Sequence, residues 1–166
     1  MAVTLKKGGE FNLSKQSSHL RKIMIGLGWE LLSGNHLDLD ASVLMLNEEG
    51  KLPSDEFFVF YNNLKSPDEA VIHLGDNTDG DGDGDDEQIK IDLTKINSSV
   101  KEICIVVTIH EAETRKQNFG QVRNSFIRIV DDSNNTELVK YELEEDFSIE
   151  TAVEFGRIYN KDGQWK

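Results

Sequence analysis

The sequence predicts an all-β fold: an antiparallel β-sandwich of two sheets with one or two short peripheral helices. Three features carry that expectation. Short apolar segments with period-two alternation recur along almost the whole of the 166 residues, the pattern of strands with one face on a core and the other toward solvent. Brief clusters of Asn, Asp, Ser and Gly separate them, which suits tight turns between sequential antiparallel strands. One segment, EICIVVTI, hardly alternates, as expected of a central strand covered on both faces.

In chain order, the strand candidates are RKIMIGLGWE (21–30), ASVLMLN (41–47), EFFVFYN (56–62), AVIHL (70–74), IKIDL (89–93), EICIVVTIH (102–110), SFIRIVD (125–131) and ELVKYEL (137–143). In IKIDL, Ile89, Ile91 and Leu93 point one way while Lys90 and Asp92 point the other. Val, Ile and Phe dominate these segments and fit a pleated surface packed on a core. Turns are expected at NEEG (47–50), NLKSPDE (63–69) and DDSNN (131–135). A helix is expected over SIETAVEFGRIY (148–159), capped by Ser148, with Ile149, Ala152, Val153 and Phe155 beside Gly156 forming its apolar side. No composition shift or linker divides the chain, so residues 1–166 read as one domain.

The formal charge is -13, from 31 acidic and 18 basic residues. That balance argues against DNA or RNA as a partner, because nucleic-acid affinity comes largely from Lys and Arg displacing phosphate counterions. It makes cations natural ligands, although an acidic surface also serves solubility alone. The only cysteine, Cys104, lies inside the apolar run; it cannot form an intramolecular disulfide and reads as a buried, inert thiol in a reducing compartment. The N-terminus lacks the pattern of an export signal, and no stretch approaches the roughly eighteen apolar residues needed to span a bilayer. A cytoplasmic protein without a transmembrane segment is expected.

Between AVIHL and IKIDL lies DNTDGDGDGDDE (76–87), seven carboxylates and three glycines in twelve residues. Two carboxylates about 6 Å apart repel by roughly 3 kcal/mol at an effective dielectric near 20, so such crowding favours either an extended, solvated loop or one wrapped around cations. Gly80, Gly82 and Gly84 alternate with the acids and let backbone carbonyls turn inward beside side-chain oxygens. An almost purely oxygen donor set selects a hard ion, and Ca2+ accepts 6–8 oxygens in flexible geometry, whereas zinc would want Cys or His. The segment is not an EF-hand: aligning Asp79, Asp81 and Asp83 with that pattern puts Lys90 where the closing Glu belongs. Asp38 and Asp40, in NHLDLDAS just ahead of a strand, share a face and could add ligands, or could simply form a turn. Asn62 and Asn63 offer amide and backbone oxygens with the same alternative.

The ordered series LGWE, DLDAS, FVFYNN, SPD, GDN, GDGDDE, FGQVRNSFIRI, SIETA and GQWK resembles the TerD family of tellurium-resistance and stress proteins, from about Val3 to Lys166. That resemblance implies a two-sheet β-sandwich binding calcium, commonly two ions, at the acidic loop. The family's calcium pattern falls here on Asp38, Asp40, Asn62, Asp76, Asn77, Asp83, Asp85, Asp86 and Glu87, with backbone carbonyls near Gly80 and Gly82. Asp79 stands where relatives often have a neutral residue and Asp81 where Glu is common. Relatives usually continue past GxWKF into another apolar strand, so the domain reads as trimmed at its C-terminus.

The resemblance implies a binding module rather than an enzyme, with other tellurium-resistance proteins as partners and possible peripheral association with an inner-membrane complex. Two alternatives stay open. A metal-dependent hydrolase would need a water-activating open site, yet Ser42 has no G-x-S-x-G setting and His19, His36, His73 and His110 occur singly. Direct tellurite or small-ligand binding would set an anion against an acidic loop.

Overall fold

In the computed structural model the described residues are 3–5, 9–16, 20–31, 39–60, 62–74, 87–109, 122–142, 152–161 and 163–166. Alternation in the sequence becomes alternation about a core. Ile23, Ile25, Leu27 and Trp29 are buried within β2 (Lys22–Leu31), as are Ala41, Val43 and Met45 of β3 (Leu39–Leu46), Ile89 and Ile91 of β6 (Glu87–Asp92) and Ile103, Ile105 and Val107 of β7 (Glu102–Ile109). The remaining elements are β1 (Val3–Leu5), α1 (Leu13–Gln16), a 3-10 turn at Asp55–Phe57, β4 (Phe58–Val59), β5 (Val71–His73), β8 (Val122–Asp131), β9 (Thr136–Glu142), β10 (Ala152–Lys161) and β11 (Gln164–Trp165).

These strands form a six-stranded sheet of order β1-β9-β8-β2-β6-β5 and a five-stranded sheet of order β11-β10-β7-β3-β4. Neighbours pair antiparallel except β1, which runs parallel to β9. One apolar cluster draws residues from both sheets, so the expected antiparallel sandwich is what forms. The unalternating β7 is the middle strand of its sheet, and the consecutive Ile103, Cys104 and Ile105 are all buried.

Cys104 points away from the inter-sheet core, toward the face where Arg157 binds Glu102 and Glu154. It is 4% exposed, and burial pushes its thiol from an ordinary value of 9.0 up to about 11. A thiol whose folded pKa exceeds its unfolded one contributes stability that is complete below about pH 9 and lost as pH climbs toward 11. Denaturation midpoints measured across that window should therefore fall more steeply in the parent protein than in Cys104→Ala, whose titrating thiol is gone.

The turns use the chemistry their residues suggest. Asn47 Oδ1 accepts from the N–H groups of Glu49 (2.9 Å) and Lys51 (3.1 Å), and Asp131 Oδ1 accepts from Ser133 N–H (3.0 Å) and Ser133 Oγ (2.6 Å). In the SPD motif, Asp68 accepts from Ser66 Oγ (2.6 Å), Ala70 N–H (3.0 Å) and Asn97 N–H (2.8 Å), tying the approach to β5 to the β6–β7 connection. The β10–β11 hairpin closes with Lys161 opposite Gln164 and Gly163 at φ +80°, where a side chain would be strained.

Two expectations are corrected. Residues 152–161 form β10, not the second part of a helix over 148–159; residues 148–151 lie outside the described residues. The register of β10 on β7 slips between Glu154 and Gly156, so Phe155 and Ile158, three apart, both enter the core. A bulge thus imitates helical spacing. In EFFVFYN, only Phe58–Val59 is strand: Asp55–Phe57 is a 3-10 turn, and Phe60 and Asn63 exchange backbone hydrogen bonds of 3.0 and 2.9 Å, reversing the chain. The short helix that does form, α1, is capped by Asn12 Oδ1 accepting from Lys15 N–H at 3.0 Å. It buries Leu13 and binds Trp165 N–H through Ser14 Oγ at 2.9 Å.

The registers set which connections share an end of the sandwich. Glu87, first in β6, lies opposite Leu27 near the close of β2, and Leu31, last in β2, opposite Val122, first in β8. Leu39, first in β3, lies opposite Ile109, last in β7. His73, last in β5, lies opposite Ile89, and β4 runs toward the start of β3. The β2–β3, β5–β6 and β7–β8 connections and the turn after β4 therefore leave from one end. Of the sequence-predicted metal ligands, the described ones, Asp40, Asn62 and Glu87, lie toward that end.

Candidate metal centre

Asp40 lies inside β3 rather than ahead of it, on the face opposite to Ala41, Val43 and Met45, with Thr108 of β7 as its register partner. It is 7% exposed, and Ser42, two residues on along the same face, is also buried. A carboxylate taken this far out of water is costly unless cations or hydrogen-bond donors surround it.

The acidic segment joins the neighbouring strands β5 and β6. Leu74 N–H donates to Gln88 O at 3.0 Å, which closes the ladder beneath it, so residues 75–86 connect two strands clamped together, as the sequence suggested. Glu87 departs from expectation. It is the first residue of β6 rather than part of the loop, on the face of Ile89 and Ile91, and 2% exposed. Its side chain crosses to the other sheet, where Oε2 accepts the Ala41 N–H at 2.7 Å. His73, 3% exposed, places Nε2 3.6 Å from the same oxygen. A hydrogen bond to a charged group in such a setting is worth about 1.5–3 kcal/mol.

The sequence pointed to neither contact. His73 alternates with Val71 on the inward face of AVIHL, and that signal was available; its nearness to Glu87 depends on how β5 and β6 register across a twelve-residue connection. Asn62 is exposed at the tip of the turn after β4. Asn63 serves that turn, its Nδ2 donating to Phe58 O (2.7 Å) and Glu56 O (3.0 Å). Asp38, Asp76, Asn77, Gly80, Gly82, Asp83, Asp85 and Asp86 lie outside the described residues. Among the described residues no three His, Cys, Asp or Glu side chains converge as a metal site.

The described acids at this end, Asp40 and Glu87, are oxygen donors of the kind a hard cation takes, set on opposite faces of β3: Glu87 binds Ala41, the residue that follows Asp40, from the core side. The soft ligand Cys104 sits four residues down β7 from Thr108, about 13 Å along the strand. A family model, the TerD domain, matches residues 1–166. The chain belongs to the TerD family. It is 50% identical over 168 residues to tellurium resistance protein TerD of Serratia marcescens, covering all of this chain and 88% of that one. It is 46% identical over 169 residues to general stress protein 16U of Bacillus subtilis (strain 168), with the same coverage. A solved structure of a TerD homologue from Streptomyces coelicolor A3(2) superposes with a TM-score of 0.67 at 18% identity, over 89% of this chain and 86% of that one; this likeness bears on the TerD fold alone.

Within the TerD family the relatives are named for tellurium resistance and general stress, and this chain shares that broad assignment. Among the described residues no helix is long and apolar enough to cross a membrane.

Proposed function

We propose that the chain is a calcium-binding module of the tellurium-resistance and stress-response system, acting without catalysis through metal-ordered acidic loops and protein partners. The donors are Asp38, Asp40, Asn62, Asp76, Asn77, Asp83, Asp85 and Asp86, with backbone carbonyls at Gly80 and Gly82; Glu87 belongs to the same centre. Two Ca2+ ions are held. What supports the reading is the shared end of the sandwich: the described strand ends from which these connections leave, those of β2, β3, β4, β5 and β6, gather there, and Asp40 and Glu87 are buried within the first residues of β3 and β6.

Calcium neutralises a segment whose own charges oppose ordering, so an apo loop that resists closure becomes a defined surface when loaded. Partners are other tellurium-resistance proteins, met in the cytoplasm or at the inner face of the membrane, with calcium available to bridge acidic surfaces.

The test is calcium titration of chelator-treated protein, followed by calorimetry and thermal unfolding. Saturation near two equivalents is expected, with about 2.7 kcal/mol of stabilisation per site once free calcium reaches roughly 100 times the dissociation constant. A weak, unsaturable response that sodium chloride reproduces would instead mark the loop as solvated. Turnover of a phosphoester with calcium, magnesium or manganese, abolished by Asp40→Ala, would favour a hydrolase.

A further inference from the structure

The bond from Ala41 N–H to Glu87 explains more than the burial of an acid. β4 ends at Val59, opposite Val43, and N–H groups two residues apart in a strand point to the same side. Ala41 lies two residues before the first β3 position that pairs with β4, and its N–H finds its acceptor in the opposite sheet, in Glu87 Oε2 at 2.7 Å. His73 Nε2, at 3.6 Å, flanks the same oxygen.

We propose that Glu87 is a positioning residue and not a calcium ligand: from the first residue of β6, where the acidic segment ends, it fastens β3 at Ala41, next to Asp40, and so holds together the two strands whose preceding connections supply the other ligands of the calcium reading. This rests on the calcium reading above. Glu87 is 2% exposed on the inward face of β6, its Oε2 accepting a backbone N–H with His73 Nε2 3.6 Å away, while Asp40 projects from the outward face of β3. An acid in this place serves as a clamp between two ligand-bearing segments, and removing such an outer support typically weakens metal affinity about 10–100-fold.

Three variants separate clamp from ligand. Glu87→Gln keeps an acceptor oxygen at full reach without the charge; Glu87→Asp keeps the charge but is one methylene short; Glu87→Ala removes both. Two measurements apply to each: hydrogen exchange at the Ala41 amide in metal-free protein, and calcium affinity by calorimetry. For a clamp, Gln retains Ala41 protection and binds calcium within about threefold of the parent, whereas Asp and Ala lose protection and bind about 10–100-fold more weakly with unchanged stoichiometry. Gln weakening calcium as strongly as Ala while Ala41 stays protected, or losing one equivalent of calcium, would overturn the proposal and make Glu87 a ligand. Ala41 unprotected in the parent protein would overturn it too. A flat calcium titration of the parent with Ala41 still protected would remove the calcium reading and, with it, the role assigned to the clamp. Should Glu87→Ala fail to fold, the Gln and Asp pair still decides.

Discussion

Phe155→Ala is expected to lower the unfolding free energy by about 3–5 kcal/mol, the range for removing a large aromatic from a packed core. Phe155 is 5% exposed and belongs to the cluster joining the two sheets. It sits where the pairing of β10 on β7 slips, so its ring enters the core from the inserted residue. Domains of this kind hold roughly 5–15 kcal/mol in total, so the loss is a large share. Denaturant titration should show a lower midpoint with an unchanged slope. Arg157→Ala is the control. Its guanidinium is half exposed and pairs with Glu102 and Glu154, and exposed pairs are worth about 0–1 kcal/mol. Equal losses from the two changes would contradict β10 as a strand with Phe155 inward and Arg157 outward.

The same bulge shows why the sequence was readable in most places and misread in one. Ile23/Ile25/Leu27, Ala41/Val43/Met45 and Ile89/Ile91 alternate without interruption, and period two then identifies both the strand and its buried face. In β10 the inserted residue changes a spacing of two into one of three, and Ala152, Val153 and Phe155 resemble a helix side. Short edge strands escape for another reason. β11 has two residues and β1 has three, too few to show a period; they exist because a longer neighbour offers a ladder. Turn residues such as Asn47 and Asp131 were legible because their hydrogen bonds are local.

At the candidate centre the division is similar. Composition and spacing of residues 76–87 point to a hard cation without any fold, since donor type and charge density are properties of the chain itself. What stays hidden is which acids face inward. Glu87 ends the acidic run in sequence and looks like the rest of it, yet it is the first residue of β6 and reaches Ala41 in the other sheet. Its role depends on that reach between sheets, a fact of tertiary structure that no local pattern carries.

Replacing Asp83, Asp85 and Asp86 together by Asn should produce opposite effects with and without calcium. Each change keeps size and an acceptor oxygen but removes a charge from a segment holding seven carboxylates in twelve residues. Without metal, mutual repulsion is relieved; a pair about 6 Å apart interacts by roughly 3 kcal/mol at an effective dielectric near 20, and salt screening reduces that further, so a net gain of about 1–2 kcal/mol is expected. With calcium at roughly 100 times the parent's dissociation constant, the parent gains about 5 kcal/mol from two sites and the variant almost none, because neutral amides are poor substitutes for carboxylates on Ca2+. The variant should therefore melt above the parent in chelator and below it in millimolar calcium. Retention of the parent's calcium response would remove these three residues from the ligand set. A fall in the metal-free melting temperature would mean that the carboxylates already serve folded-state contacts, and that repulsion is not what calcium relieves.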